Sequence, residues 1–109
     1  MILIIIRMNV VSEKRLELAQ TIASLSDSIR MENGCQRFDF CQGVEDENRL
    51  ILLEEWDTQG NLMTHLKSDH FRILRGAMNL LREPYEMVFH TIFHPVALKD
   101  IWIKNRRVP

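Results

Sequence analysis

Glu54 and Trp56 stand two residues apart in the apolar run RLILLEEW (49–56). In a strand that spacing puts both side chains on one face, together with Leu50 and Leu52. A carboxyl enclosed by Leu50, Leu52 and Trp56 would lose hydration, and its pKa would rise. Such a group could take a proton from a phenol or an enol. His65 and His70 follow within 16 residues, and neutral imidazole suits proton shuttling near pH 7. A purely structural role stands beside each reading. Trp56 could be a core indole with a satisfied N–H, Glu54 its salt-bridge neighbour, and the histidines surface residues of a helical turn.

Arg7 and Asn9 are further candidates. They share the mixed face of an apolar opening segment, where Arg7 could hold an oxyanion and Asn9 could donate to a carbonyl; a solvent-exposed rim is the plainer alternative. His90 is a candidate lining residue. His90 and His94 have the i, i+4 spacing of a helical metal-ligand pair, but in a strand four residues span about 13 Å, so one ion cannot join both. The spacing of His65 and His70 spans a helix break, which also argues against a metal. Cys35 and Cys41 are six residues apart in one strand, about 20 Å along it. They are therefore out of disulfide reach. No Gly-rich phosphate loop, CxxC, HExxH or GxSxG occurs.

Something must hold these residues in place. The chain has 109 residues, 46% of them hydrophobic, with 14 Lys+Arg against 15 Asp+Glu. That is one domain with one core. A net charge of -1 gives no electrostatic case for nucleic acid or anionic membrane. No apolar run approaches the roughly 20 residues of a membrane span, and MILIIIRMN lacks the parts of a signal peptide. A cytoplasmic protein with free thiols is the expectation.

The pattern predicts a strand over 2–10 and a helix over 12–32, capped by Ser12 and ended by Asn33-Gly34. The helix buries Leu18, Ala19, Ile22, Leu25 and Ile29. A hairpin follows over 35–56, with strands at 35–42 and 49–56. A short helix over 58–66 leads to a second, capped by Ser68, with a stripe of Phe71, Leu74, Met78 and Leu81 and a stop at Pro84. A fourth strand is expected over 85–94. The order β-α-β-β-α-β is the ferredoxin-like split βαβ, an α+β fold. The domain covers 1–94. Residues 95–109 form a tail, frayed or packed on a neighbouring subunit.

Gly34-Cys35 opening the second strand, Glu54-Glu55-Trp56 closing the third, His65-Leu66 and His70-Phe71 together resemble the antibiotic biosynthesis monooxygenase family. The likeness is nearest to its small quinol monooxygenases and the related phospho-autoinducer isomerases. It implies a homodimer in which two sheets pack through their open faces into a dimeric α+β barrel. Leu3, Ile5, Leu50, Leu52 and Trp56 are expected on that open face. The ligand pocket would lie between the open sheet face and the helices. The resemblance implies an oxidoreductase without metal, flavin or other cofactor. Its catalytic residues would come from Glu54, His65 and His70, with Trp56, Arg7, Asn9, Leu52, Phe71 and His90 about the substrate.

Two departures narrow this. The family's polyketide-oxidising members carry Asn and Tyr where this chain has Leu52 and Leu62. Its haem-degrading members carry a haem-ligating His where this chain has Arg75, and a Trp at His65. The expected activity is oxidation of a small quinol, phenol or anthrone-like substrate by O2. The alternatives are an isomerase or other proton-transfer enzyme on a small hydroxy-ketone, and a non-catalytic ligand-binding dimeric module.

Overall fold

A computed structural model describes residues 1–93 and 96–106. Four strands form one antiparallel sheet in the order β2-β3-β1-β4. The strands are β1 (Ile2–Asn9), β2 (Cys35–Gln42), β3 (Arg49–Trp56) and β4 (Glu86–Thr91). The helices are α1 (Ser12–Arg30), α2 (Gln59–Leu66), α3 (Asp69–Ala77) and α4 (Leu98–Arg106). Through β4 this is the β-α-β-β-α-β order, with the second helical segment broken into α2 and α3. The expected tail contains α4, whose Leu98, Ile101 and Trp102 are exposed.

The β-branched run of β1 explains its place at the centre of the sheet. Every second residue, Ile4, Ile6 and Met8, is buried beneath the helices. Helix α1 lays Leu18, Ile22, Leu25 and Ile29 against this face. Phe38 of β2 and Leu74 and Met78 from α3 and the turn after it complete the core. Burying that many large aliphatic side chains, each worth roughly 1.5–3 kcal/mol, is the main stabilising term.

Register decides which face of β3 is covered. Ile4 pairs with Glu54, Ile6 with Leu52 and Met8 with Leu50. Directly paired residues share a face, so Leu50, Leu52, Glu54 and Trp56 all point into the helix-covered core. This corrects the expected composition of the open face. That face carries Leu3 and Ile5 as expected, but Ile51 and Leu53 in place of Leu50, Leu52 and Trp56. It remains half-apolar, with Val88 added from β4.

Several boundaries also differ from expectation: β1 ends at Asn9 and α1 at Arg30, short of the expected 10 and 32. The N-cap of α1 is Val11, which offers no side-chain cap, and Ser12 is the first helical residue. The Ser12 hydroxyl instead accepts from Asn48 Nδ2 at 3.1 Å. Helix α3 ends at Ala77, well before Pro84, and a 3₁₀ turn follows over Met78–Leu80. The chain leaves the helix there because Leu81 bridges to Val10 and Arg82 N–H donates to Asn9 O at 3.0 Å. Strand β4 is shorter than the expected 85–94, and His94 lies outside the described residues.

Ser68 caps α3 as expected, its hydroxyl accepting from Phe71 N–H at 3.1 Å. Thr58 does the same for α2. Gly34 sits at φ 83°, in the left-handed region. A Cβ there would come within 2.2 Å of Asp57 Oδ1, so the tight turn requires glycine twice over. Asp57 N–H donates to Gly34 O at 2.9 Å, which fastens the turn after α1 to the end of β3. No helix among the described residues is long and apolar enough to cross a membrane.

Candidate active site

Four elements converge at one end of the sheet. Strand β3 supplies Glu54 and Trp56, the end of α2 supplies His65, the start of α3 supplies His70 and Phe71, and the turn after α1 supplies Glu32. Glu54, Trp56 and His65 are buried at 0%, 0% and 1% exposure.

Period-two alternation brings the Trp56 indole N–H to Glu54 Oε1, to which it donates at 3.0 Å. The His65 ring stacks on Trp56 with centroids 4.4 Å apart and planes at 26°. Phe71 meets the same ring edge-on, with centroids 5.5 Å apart. These contacts fix the plane of the imidazole. Its Nδ1 lies 3.0 Å from Glu32 Oε1 and 3.2 Å from Oε2. Its Nε2 lies 3.5 Å from Glu54 Oε1. Neither His65 Nε2 nor Glu54 Oε2 has a hydrogen-bond partner. His70 Nδ1 reaches Glu32 Oε2 at 3.0 Å, so one carboxylate serves both histidines.

Burial pushes the Glu54 carboxyl above the ordinary carboxylate range. The Trp56 hydrogen bond and the charge of His65 oppose the shift, and the charge of Glu32 adds to it. The fold therefore holds the proton of Glu54 more tightly than an exposed carboxyl would hold it. Cys35 pairs with Trp56 across the sheet, and burial together with the Glu54 charge lifts its thiol to about 11. It is a protonated packing residue.

The shift of Glu54 has a consequence for stability. A carboxyl with a higher pKa folded than unfolded holds its proton more tightly in the fold. Its contribution is complete below the unfolded value, about 4.3 for glutamate. It is lost as pH rises through the folded value. In Glu54→Gln this pH dependence should disappear. Urea unfolding at pH 5 and pH 8 measures it: the wild type should lose more stability between the two than the variant does. Equal losses would show that Glu54 is not shifted.

Of the residues singled out in the sequence, Glu54, Trp56, His65, His70 and Phe71 come together here. Leu52 lies on the same face of β3, fully buried in the core. The others are elsewhere. Arg7 and Asn9 are on the open face. Arg7 lies 4.0 Å from Glu86, and Asn9 donates to Glu83 Oε1 at 2.7 Å. Both line a surface pocket of about 330 Å³ with Arg49. His90 is exposed on the open face, opposite Leu3. Glu32 is the residue that sequence reasoning missed. No spacing marks it, because its contacts span 33 and 38 positions.

No group of three or more His, Cys, Asp or Glu is arranged to hold a metal ion among the described residues. The Glu32 carboxylate fills the space where His65 and His70 converge. Four surface pockets of about 330 to 470 Å³ among the described residues are lined by none of Glu32, Glu54, Trp56, His65, His70 and Phe71, and Glu54, Trp56 and His65 are closed to solvent.

Known proteins share this architecture. A conserved protein from Methanosarcina mazei Go1 is 30% identical, with 82% of this chain and 89% of that chain covered and a TM-score of 0.77. A protein from Nitrosomonas europaea, provisionally named an antibiotic biosynthesis monooxygenase, is 22% identical, with 86% of this chain and all of that chain covered at a TM-score of 0.80. One from Deinococcus radiodurans, named in the same provisional way, is 16% identical, with 90% and 98% covered at 0.81. These last two likenesses are of fold. No match was found among curated proteins. The sequence model of one family, antibiotic biosynthesis monooxygenase, matches residues 1–75, which include Glu32, Glu54, Trp56, His65 and His70. The chain belongs to the antibiotic biosynthesis monooxygenase family.

Proposed function

We propose that this protein is a cofactor-independent monooxygenase acting on a small quinol or anthrone-like phenol, working as a homodimer. One observation carries the reading: His65 Nε2 lies 3.5 Å from Glu54 Oε1, and Nε2 and the other Glu54 oxygen, Oε2, are both buried without a hydrogen-bond partner. Buried polar atoms are seldom left unmade without a use. Here an imidazole nitrogen stands beside a carboxyl that burial holds toward its neutral form. That is a base beside an acid.

In the proposed reaction His65 Nε2 takes a hydroxyl proton from the substrate. The O–H bond breaks, and the negative charge spreads into the ring. Neutral Glu54 donates to a ring oxygen and stabilises that charge, in a dry site where such a hydrogen bond counts for most. The electron-rich anion passes an electron to O2 and then bonds to the reduced oxygen. For a quinol, one oxygen atom enters the ring as a hydroxyl and the other leaves as water with the two hydroxyl hydrogens. The substrate supplies every electron, so no other reductant is required. The aromatic walls, Trp56 and Phe71, suit a flat ring. Because the site is filled, a substrate reaches it only when the covering helices shift.

The half-apolar open face supports the homodimer. Leu3, Ile5, Ile51, Leu53 and Val88 would otherwise present a contiguous apolar surface to water.

Dissolved O2 followed over time, with a panel of reduced quinones and polyphenols, tests the activity. Uptake that saturates with substrate and exceeds enzyme-free autoxidation is expected. Uptake no faster than the blank across the panel would sink the oxygenase reading. A base beside an acid also suits a keto–enol shift, so a second reading is proton transfer on a small hydroxy-ketone. Exchange of solvent deuterium into such a ketone, without O2, would favour it.

A further inference from the structure

We propose that Glu32 is a positioning residue: it fixes the tautomer of His65 so that Nε2, and not Nδ1, is the nitrogen presented to substrate. The inference rests on the proposed use of His65 as a base, but its geometry stands by itself. Glu32 follows α1 in the turn that Gly34 makes possible, and the bond from Asp57 N–H to Gly34 O holds that turn against the end of β3. Its carboxylate straddles His65 Nδ1, at 3.0 and 3.2 Å. An ionised carboxylate can only accept, so the nitrogen that faces it carries the hydrogen. The lone pair of a neutral ring is then on Nε2, directed at Glu54.

A second contact locks the arrangement. His70 Nδ1 lies 3.0 Å from Glu32 Oε2 and donates to it, so the carboxylate cannot rotate away without losing two charge-assisted hydrogen bonds. Side-chain exposure falls from 37% at His70 to 17% at Glu32 and 0% at His65. The half-exposed His70 therefore covers the carboxylate on its solvent side. When Nε2 takes a proton, the imidazolium forms beside the carboxylate, and the new charge is balanced within the cluster. The logic is that of a carboxylate holding a catalytic histidine in one orientation and tautomer.

Two measurements test this, and they fail separately. The first is 15N NMR of the histidine side chains in the wild type, at a pH where the His65 ring is neutral. The proposal expects the Nδ1–H form for His65. A ring protonated on Nε2 would overturn it, whatever the protein is found to oxidise. The second compares Glu32→Gln, Glu32→Asp and His70→Ala in the O2 assay. Glu32→Gln should lower kcat by about 100-fold or more with KM changed less than about threefold, since substrate does not touch Glu32. Glu32→Asp should recover part of the loss, and the His65 signals of Glu32→Gln should show mixed tautomers. If Glu32→Gln does not fold, His70→Ala carries the test: it removes the donor to Oε2, leaves the carboxylate in place but unlatched, and should lower kcat by several-fold with the His65 tautomer partly released. Unchanged kcat and unchanged His65 signals in these variants would overturn the proposal. Absence of any turnover in the wild type would defeat the oxygenase reading alone, because the tautomer is read without substrate.

Discussion

Truncating Trp56 to alanine is expected to cost about 3–5 kcal/mol of stability, the range for removing a large buried aromatic. Three losses combine at this one position. The indole is fully buried at the junction of β3 with the helices, so its removal leaves a cavity. Its stacking on His65 disappears. Its N–H no longer reaches Glu54 Oε1, which leaves a buried carboxyl with no donor. The last loss alone is worth about 1–3 kcal/mol. Trp56→Phe separates the effects, since it keeps most of the volume and gives up the hydrogen bond. It should fall about 1–3 kcal/mol below the wild type. Urea unfolding followed by circular dichroism measures both. A Trp56→Ala protein within 1 kcal/mol of the wild type would mean that the indole is not packed as described.

The largest kinetic effect is expected at His65. His65→Ala should lower kcat by about 10²–10⁴-fold, the usual contribution of a positioned general base. Glu54→Gln should cost less, about tenfold, because a buried amide can still donate to the substrate oxygen. The ordering is the informative part. If Glu54→Gln proved the more damaging change, Glu54 would be the base and His65 its orienting neighbour. If neither change altered O2 uptake, the cluster would be structural and the chemistry would have to lie elsewhere. Refolded variants should first be matched to the wild type by circular dichroism, since His65 is itself wedged between Trp56 and Phe71.

The strands and helices were legible because local periodicity and turn chemistry determine them. The alternation of RLILLEEW put Glu54 and Trp56 on one side of β3, and Ser68 marked the start of α3. Which side faced the helices was not legible. That depends on the pairing of Ile4 with Glu54, a long-range register that neither segment encodes alone. The end of α3 was misjudged for a similar reason. Leu81 continues the apolar helical spacing, yet it bridges to Val10, and a tertiary contact overrode the periodicity. Glu32 falls at the end of the helix expected over 12–32, and no local spacing sets it apart. Only the folded turn at Gly34 reveals that it lies between two histidines. Arg7, Asn9 and His90 were singled out for their chemistry, but on strands β1 and β4 they point away from the cluster.

The place of β1 in the sheet has a consequence for how the chain is made. It precedes the other three strands of the sheet along the chain, yet it is central, flanked by β3 and β4. Its partner in β4 lies far along the chain: Leu3 pairs with His90. While the ribosome is still at work, one edge of the isoleucine-rich segment therefore stays without a partner. Nascent chains that stop short of Glu86 keep that edge open, and exposed β-edges of this composition pair readily with one another. Completion of the sheet must await β4, so the first of the sheet's four strands is joined to the last of them.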